Sequence, residues 1–277
     1  MRHGTARIGA LAVGAGAPLL LIAGPCVIES RESALRHAER IRALAAQAGL
    51  PVVYKSSFDK ANRTSLQAFR GVGLEEGLRI LEEIRRELGL PVLTDVHEQA
   101  QIAPVASVVD VLQTPAFLCR QTDFVIAVAR AGKPVNLKKG QFLSPWEMGR
   151  VVEKARSTGN PDLLVTERGF AFGYQNLVAD MRAIPVLAET GCPVVFDATH
   201  SVQRPGAAGT ASGGDRAFVP TLARAAVAAG CDAVFLEVHE DPDRALSDGA
   251  TSLRLDDLPP LLADLAALAA VVRERRP

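Results

Sequence analysis

Short apolar runs alternate along this chain with longer amphipathic stretches. The runs are Leu19–Ala23, Val52–Lys55, Val92–Thr94, Val108–Leu112, Val135–Leu137, Leu163–Thr166, Val194–Phe196 and Ala233–Leu236. They are apolar throughout rather than at every second position, the pattern of strands buried on both faces and hence of a parallel sheet. Helices are predicted between them over Ser33–Ala48, Leu74–Leu88, Phe124–Ala131, Pro145–Ser157, Leu177–Thr190 and Phe218–Ala229. Gly49, Gly89, Gly132, Gly159, Gly191 and Gly230 fall where helices end, a place that favours a residue free to turn left-handed. Pro51, Pro91, Pro134 and Pro193 then open the next strand, where a missing N–H is tolerated. Eight such units predict an α/β protein, a single (β/α)8 TIM barrel domain over residues 1–277. An open doubly wound sheet competes, but no GxGxxG follows the first strand, and eight units suffice to close a barrel.

The segment from Ile8 to Ile28 is apolar and small, and on hydropathy alone it could be a signal peptide or a membrane span. Gly9, Gly14, Gly16, Pro18, Gly24 and Pro25 interrupt it. A strand, a Gly-rich turn and a second strand at Leu19–Ala23 account for it better, giving the barrel a short N-terminal β-hairpin. The chain carries 31 Lys+Arg and 31 Asp+Glu, so it lacks the basic excess of a general nucleic-acid or anionic-membrane binder. Any anion site must be a local concentration of cations. With 4 cysteines in 277 residues and no CxxC spacing, neither a disulfide framework nor a zinc ribbon is indicated, and a cytoplasmic location is expected.

In a barrel of this kind chemistry sits on the loops after the strand C-termini. Two groups of residues gather there. One is cationic: Lys55, Lys60, Arg63, Arg120, Lys138 and Arg168. Solvated surface charge would explain an arbitrary lysine, but Lys55, Lys138 and Arg168 directly follow buried strands. Six cations around one mouth call for ligands rich in phosphate and carboxylate, which arginine grips as a planar fork and lysine as a point charge. The other group is Cys26, His200, Glu237 and Asp248, at the ends of strands that closure makes neighbours. A thiolate, an imidazole and two carboxylates can bind a divalent transition metal such as Zn, Fe, Mn or Co. On spacing alone, a packed thiol and a hydrogen-bonded core histidine are the commoner roles for two of them.

Other conspicuous residues have plainer expectations. His3 and His37 are expected in solvent, Cys119, Cys192 and Cys231 in packing, and Trp146 as a capping and packing residue at a helix start. Lys138 and Lys139 should point in opposite directions, as successive strand residues do. Gly206, Gly209, Gly213 and Gly214 read as a flexible loop over the mouth, and no strand leads into a Gly-Lys-Ser/Thr phosphate loop.

Taken together these residues resemble a known family, the 3-deoxy-D-manno-octulosonate 8-phosphate synthases. The similar stretches are Ile22–Ser30, Lys55–Ser65, Thr94–Glu98, Gln113–Asp123, Val135–Ser144, Thr166–Asn176, Phe196–Gln203, Ser212–Pro220 and Leu236–Asp248, with Lys60 to Ser65 (KANRTS) the most diagnostic. The sister 3-deoxy-heptulosonate 7-phosphate synthases, which use erythrose 4-phosphate, carry a Lys-Pro-Arg-Thr type motif there. The resemblance implies a homotetrameric barrel that condenses phosphoenolpyruvate with D-arabinose 5-phosphate, releases phosphate and feeds Kdo and lipopolysaccharide synthesis. It implies that Lys55, Lys60, Gln113, Lys138 and Arg168 hold phosphoenolpyruvate. Asn62, Arg63, Thr64 and Ser65 would hold the pentose phosphate, with Arg120 reaching in from a neighbouring subunit. Cys26, where another class of the family has Asn, implies the metal-dependent class, with His200, Glu237 and Asp248 as the other ligands. Lys138, Asp95 and His200 are the candidates for moving protons. The sister reaction and a non-catalytic sugar-phosphate binder are the alternatives.

Overall fold

The computed structural model describes residues 4–207 and 213–275. Eight parallel strands close into a barrel: β1 Leu20–Gly24, β2 Val52–Lys55, β3 Val92–Asp95, β4 Val111–Thr114, β5 Val135–Lys138, β6 Leu163–Glu167, β7 Val194–Asp197 and β8 Ala233–His239. Neighbours pair in sequence order, β8 lies against β1 in the register Phe235↔Ile22, and β7 pairs with β8 through Val195↔Ala233. The helices around it are α1 Arg31–Gln47, α2 Leu74–Leu88, α3 Gln99–Val108, α4 Thr122–Ala129, α5 Met148–Arg156, α6 Ala183–Ala188, α7 Val219–Ala228 and α8 Leu258–Arg275.

The six glycines expected at helix ends all have positive φ, from 63° to 97°. Ser30 starts α1 by accepting a hydrogen bond from the Ser33 amide, which satisfies one of the free N–H groups of the first turn. Two expected spans shift. The run Val108–Leu112 is split, because Val108 ends α3 and the strand begins at Val111. The expected helix Leu177–Thr190 is only Ala183–Ala188. Leu177–Val178 instead pair with Phe170–Ala171 as a small antiparallel ribbon, and the Asp180 carboxylate receives the Arg182 amide just before the helix.

Alternation along each strand divides the molecule. Outward side chains such as Leu21, Val52, Leu112 and Val194 pack under the helices. Inward ones, including Leu20, Ile22, Val53, Leu93, Val195 and Phe235, fill the barrel interior. The expected N-terminal hairpin is present but lies earlier, Thr5–Ile8 against Leu11–Gly14, because the run expected as its second strand is β1 of the barrel; Ala6, Ile8 and Val13 of the hairpin join that interior cluster from below. Among the described residues no helix is long and apolar enough to cross a membrane.

Candidate active site

Continuing the inward alternation by one more layer brings polar residues to the top of the barrel. Above Val53 stands Lys55, above Leu93 Asp95, above Val111 Gln113, above Val195 Asp197, and above Phe235 Glu237. Phe235 is the boundary between the two layers, with the Lys138 ammonium 4.1 Å and the Lys55 ammonium 5.5 Å from its ring centre. A cavity of about 730 Å³ opens above it.

Lys55, Lys60, Gln113, Lys138 and Arg168 all line this cavity. So do Asn62, Arg63, Thr64, Asp95, His200 and Asp248. Ser65 does not: its hydroxyl turns back to accept the Gln67 amide. Arg120 does not either. It is exposed and lies 3.9 Å from Glu147. Cys26 and Glu237 are buried just beneath the lining. Gly24 makes this close approach possible, since a Cβ there would stand 1.8 Å from the Lys55 carbonyl.

The cations fall into two kinds. Lys55 and Lys138 are buried and paired, Lys55 with Glu237 at 3.2 Å and Lys138 with Asp197 at 2.5 Å. Lys60, Arg63 and Arg168 enter no ion pair among the described residues. Arg168 is held by two neutral carboxamides, Gln141 at 2.6 Å and Gln203 at 2.7 Å, and Arg63 by the Phe69 carbonyl and the Ser247 hydroxyl. Three cations lining one cavity thus make no direct ion pair, although Glu237, Asp95 and Asp248 are near enough to favour the charge on Lys60. Gln113 is fixed by Asn136, which is fixed in turn by Thr166.

Asp197 was not among the expected site residues, yet it organises the centre. Its Oδ2 also lies 2.6 Å from His200 Nδ1, and its Oδ1 accepts the His200 amide and the Thr199 hydroxyl. Burial alone would raise its pKa, but His200 and Lys138 hold it well below the ordinary carboxylate value. Burial lowers the Lys138 pKa, with Asp197 opposing. Asp95 is likewise held low against its burial, by His97 at 2.9 Å and by the lysines, and it accepts the Ser57 hydroxyl at 2.5 Å.

The ligand atoms of Cys26, Glu237 and Asp248 lie within 4.8 Å of one another. The expected fourth ligand, His200, stands beside that group of three rather than within it, its Nε2 3.5 Å from Glu237 and 3.9 Å from Asp248. The donor set fits a divalent cation on three counts. Asp197 engages Nδ1, the arrangement that leaves Nε2 with its lone pair for a metal. Buried Glu237 Oε2 has no hydrogen-bond partner. The Cys26 thiol is pushed well above its ordinary pKa by burial and then by Asp248 and Glu237, a repulsion that a cation would reverse. Burial opposes the charge on Glu237, but His200 and the lysines bring its pKa down to about 2.

Several expectations about the remaining residues change. His37 is fully buried rather than solvated: Nδ1 bonds the Ser33 carbonyl, and Nε2 accepts the Glu240 amide. Trp146 is 69% exposed and not packed. Gly213 and Gly214 are not loose, because they pair with Gln203 and Arg204 in a two-stranded ribbon, and Gly206 lines the cavity. Gly209 and Ser212 in that loop, and His3, lie outside the described residues. Cys119, Cys192 and Cys231 are buried, as expected.

The family model described as the DAHP synthetase I family matches residues 5–272. The curated relatives include 2-dehydro-3-deoxyphosphooctonate aldolases. That of Trichlorobacter lovleyi is 60% identical over 96% of this chain and 98% of its own length. That of Magnetococcus marinus is 63% identical over 93% and 90%. That of a Geobacter species is 55% identical over 96% and 98%.

Proposed function

The chain belongs to the DAHP synthetase I family, and we propose that its barrel mouth joins phosphoenolpyruvate to D-arabinose 5-phosphate. The enzyme forms a carbon–carbon bond between the two, takes up water and releases phosphate. Its product is 3-deoxy-D-manno-octulosonate 8-phosphate, the compound that its relatives' name describes as a 2-dehydro-3-deoxy octonate phosphate. This activity belongs to Kdo and lipopolysaccharide synthesis. The observation that carries the reading is the set of unpaired cations. Lys60, Arg63 and Arg168 line one cavity with no direct carboxylate contact among the described residues, which suits two phosphorylated substrates bound together.

The division of labour follows depth. Lys55, Gln113, Lys138 and Arg168 are at most 5% exposed and, with Lys60, form the deep phosphoenolpyruvate pocket. Asn62, Arg63 and Thr64 stand nearer the rim and take the pentose phosphate, with Ser65 shaping the turn that carries them. Carbon 3 of the enol phosphate attacks the aldehyde, water adds at carbon 2, and the resulting hemiketal phosphate loses phosphate by C–O cleavage. Lys138, a cation weakened by burial and held by Asp197, is placed to move a proton at the new alkoxide. Asp95 with His97 is the second proton-handling pair. Cys26, His200, Glu237 and Asp248 would hold a divalent metal, Zn, Fe, Mn or Co, which supplies Lewis acidity and orientation at the aldehyde and the water. His200 would then serve as a ligand through Nε2 rather than as a proton carrier.

Residues 1–277 act as one barrel domain in a cytoplasmic homotetramer, with no nucleic-acid or membrane partner. Arg120 supports this assembly. It is exposed, absent from its own cavity, and close in sequence to Phe117, which is half exposed at the rim of the cavity. The test is phosphate release from phosphoenolpyruvate with arabinose 5-phosphate or erythrose 4-phosphate, before and after chelation. Turnover with the pentose and its loss on chelation are expected. Turnover with erythrose 4-phosphate alone would mark the sister reaction, and none with either a passive sugar-phosphate binder.

A further inference from the structure

One buried ion pair takes no part in the chemistry above. Lys139 follows Lys138 and points the other way, out of the barrel mouth and into the space between the loops after β5 and β6. It is 1% exposed. Its ammonium lies 3.2 Å from Glu167 Oε1 and donates to the carbonyls of Gly140, Leu143 and Gly169 at 3.3, 3.1 and 3.0 Å. Glu167 is 2% exposed, and the same Oε1 accepts the amides of Arg168 at 2.9 Å and Gly169 at 2.7 Å. A buried charge pair is costly unless its remaining hydrogen-bonding capacity is used, and here it is used on the backbone of two loops.

Those loops carry one functional group each. Gln141 is in the first and Arg168 in the second, and they bond at 2.6 Å on the cavity side. The loops are also tied by the Ala171 amide donating to the Gln141 carbonyl at 2.7 Å. Gly169 must turn left-handed, at φ +91°, directly after Arg168. The guanidinium is therefore aimed from a backbone with an unusual turn, and the Lys139–Glu167 pair contacts that turn from both sides. Apolar packing could fill the volume, but it could not receive two adjacent amides and three carbonyls.

We propose that Lys139 and Glu167 are positioning residues that set the direction of the Arg168 guanidinium, and with it the grip on the phosphoenolpyruvate anion. The inference rests on the assignment of Arg168 to phosphoenolpyruvate. The pair touches no substrate. Its loss should therefore weaken one substrate and spare the other.

The experiment compares Arg168→Ala, Lys139→Met and Glu167→Gln in the metal-loaded enzyme, measuring both Michaelis constants, kcat and direct phosphoenolpyruvate binding by calorimetry. Arg168→Ala is the reference and should weaken phosphoenolpyruvate binding strongly. Lys139→Met should weaken it by roughly tenfold, with the pentose constant within about twofold of wild type. Glu167→Gln keeps an oxygen for both amides and loses only the charge, so its effect should be smaller and in the same direction. It also serves if Lys139→Met fails to fold. If Arg168→Ala leaves phosphoenolpyruvate binding intact, the pocket assignment itself is wrong. If Arg168→Ala weakens it but the folded pair variants only lower the melting temperature, or shift both substrates equally, the positioning role is overturned.

Discussion

Lys138 and Asp197 meet at 2.5 Å across the barrel mouth, and the same carboxylate oxygen lies 2.6 Å from His200. One buried anion thus serves the candidate proton donor and a candidate metal ligand at once. Asp197→Asn should lower kcat by about a hundredfold, the usual scale for disabling acid–base help. The sign of the pH effect follows from the charges. Asp197 supports the Lys138 ammonium against burial, so its neutralisation should move the alkaline limb of the rate profile to lower pH. An unmoved limb in a pH–rate titration would remove Lys138 from the proton-transfer step.

Arg63 offers a charged fork at the cavity rim. Arg63→Ala should raise the Michaelis constant for arabinose 5-phosphate by roughly 30- to 150-fold, about 2–3 kcal/mol for charged hydrogen bonds. Steady-state kinetics with each substrate varied in turn checks this. A raised constant for phosphoenolpyruvate instead would mean that the two pockets are exchanged.

Arg120 makes a test of assembly. If it completes a neighbour's site, inactive Arg120→Ala protein mixed with inactive Lys138→Ala protein should regain partial activity as mixed tetramers form. Native mass spectrometry verifies the mixing. Absence of recovery in verified mixtures would place Arg120 in its own subunit's site or outside any site.

Cys26 carries the metal assignment. Chelation should abolish activity, and added Mn or Co should restore it. Binding should weaken at low pH, where the ligands take up protons. Cys26→Ser should lose tight binding, since a neutral hydroxyl is a poor substitute for a thiolate. Cys26→Asn should keep some activity that no longer responds to chelator. Full wild-type activity after exhaustive chelation, with no metal by elemental analysis, would leave Cys26 as a packing residue.

Glu237 links the site to acid stability. Its folded pKa, about 2, lies below the ordinary 4.5, so in metal-free protein it stabilises the fold above pH 4.5. That contribution, on the order of 3 kcal/mol, is lost as pH falls from 4.5 towards 2. Denaturant unfolding at pH 7, 4.5 and 3 should show a steeper loss in wild type than in Glu237→Gln. Equal slopes would count against the linkage.

The barrel was legible because glycine and proline punctuate it: the six helix-ending glycines and the prolines before β2, β3, β5 and β7 leave little freedom in where the strands begin. The run at Val108 was misread because helix end and strand start are both apolar, and only Asp110 between them marks the break. Most of the candidate site was legible from residues just past strand ends. Asp197 was missed as a site residue although its inward parity matches that of Lys55, Asp95, Gln113 and Glu237. His37 could have been found from the α1 stripe of Ala34, Ala38, Ile41 and Ala45, to which it belongs. Neither Ser247 beside Cys26 nor Gln203 beside Arg168 has a sequence signal, because each pairing comes from loops that only folding brings together.

The N-terminal hairpin has a consequence for traffic. With Ala6, Ile8 and Val13 filling the lower end and Phe235 forming the floor, the described residues close the cavity from below, as a well. On the proposed assignment, with phosphoenolpyruvate at the bottom and the pentose phosphate at the rim, two substrates would not enter such a well in either order. The one gripped at the bottom must descend before the one gripped at the rim closes over it.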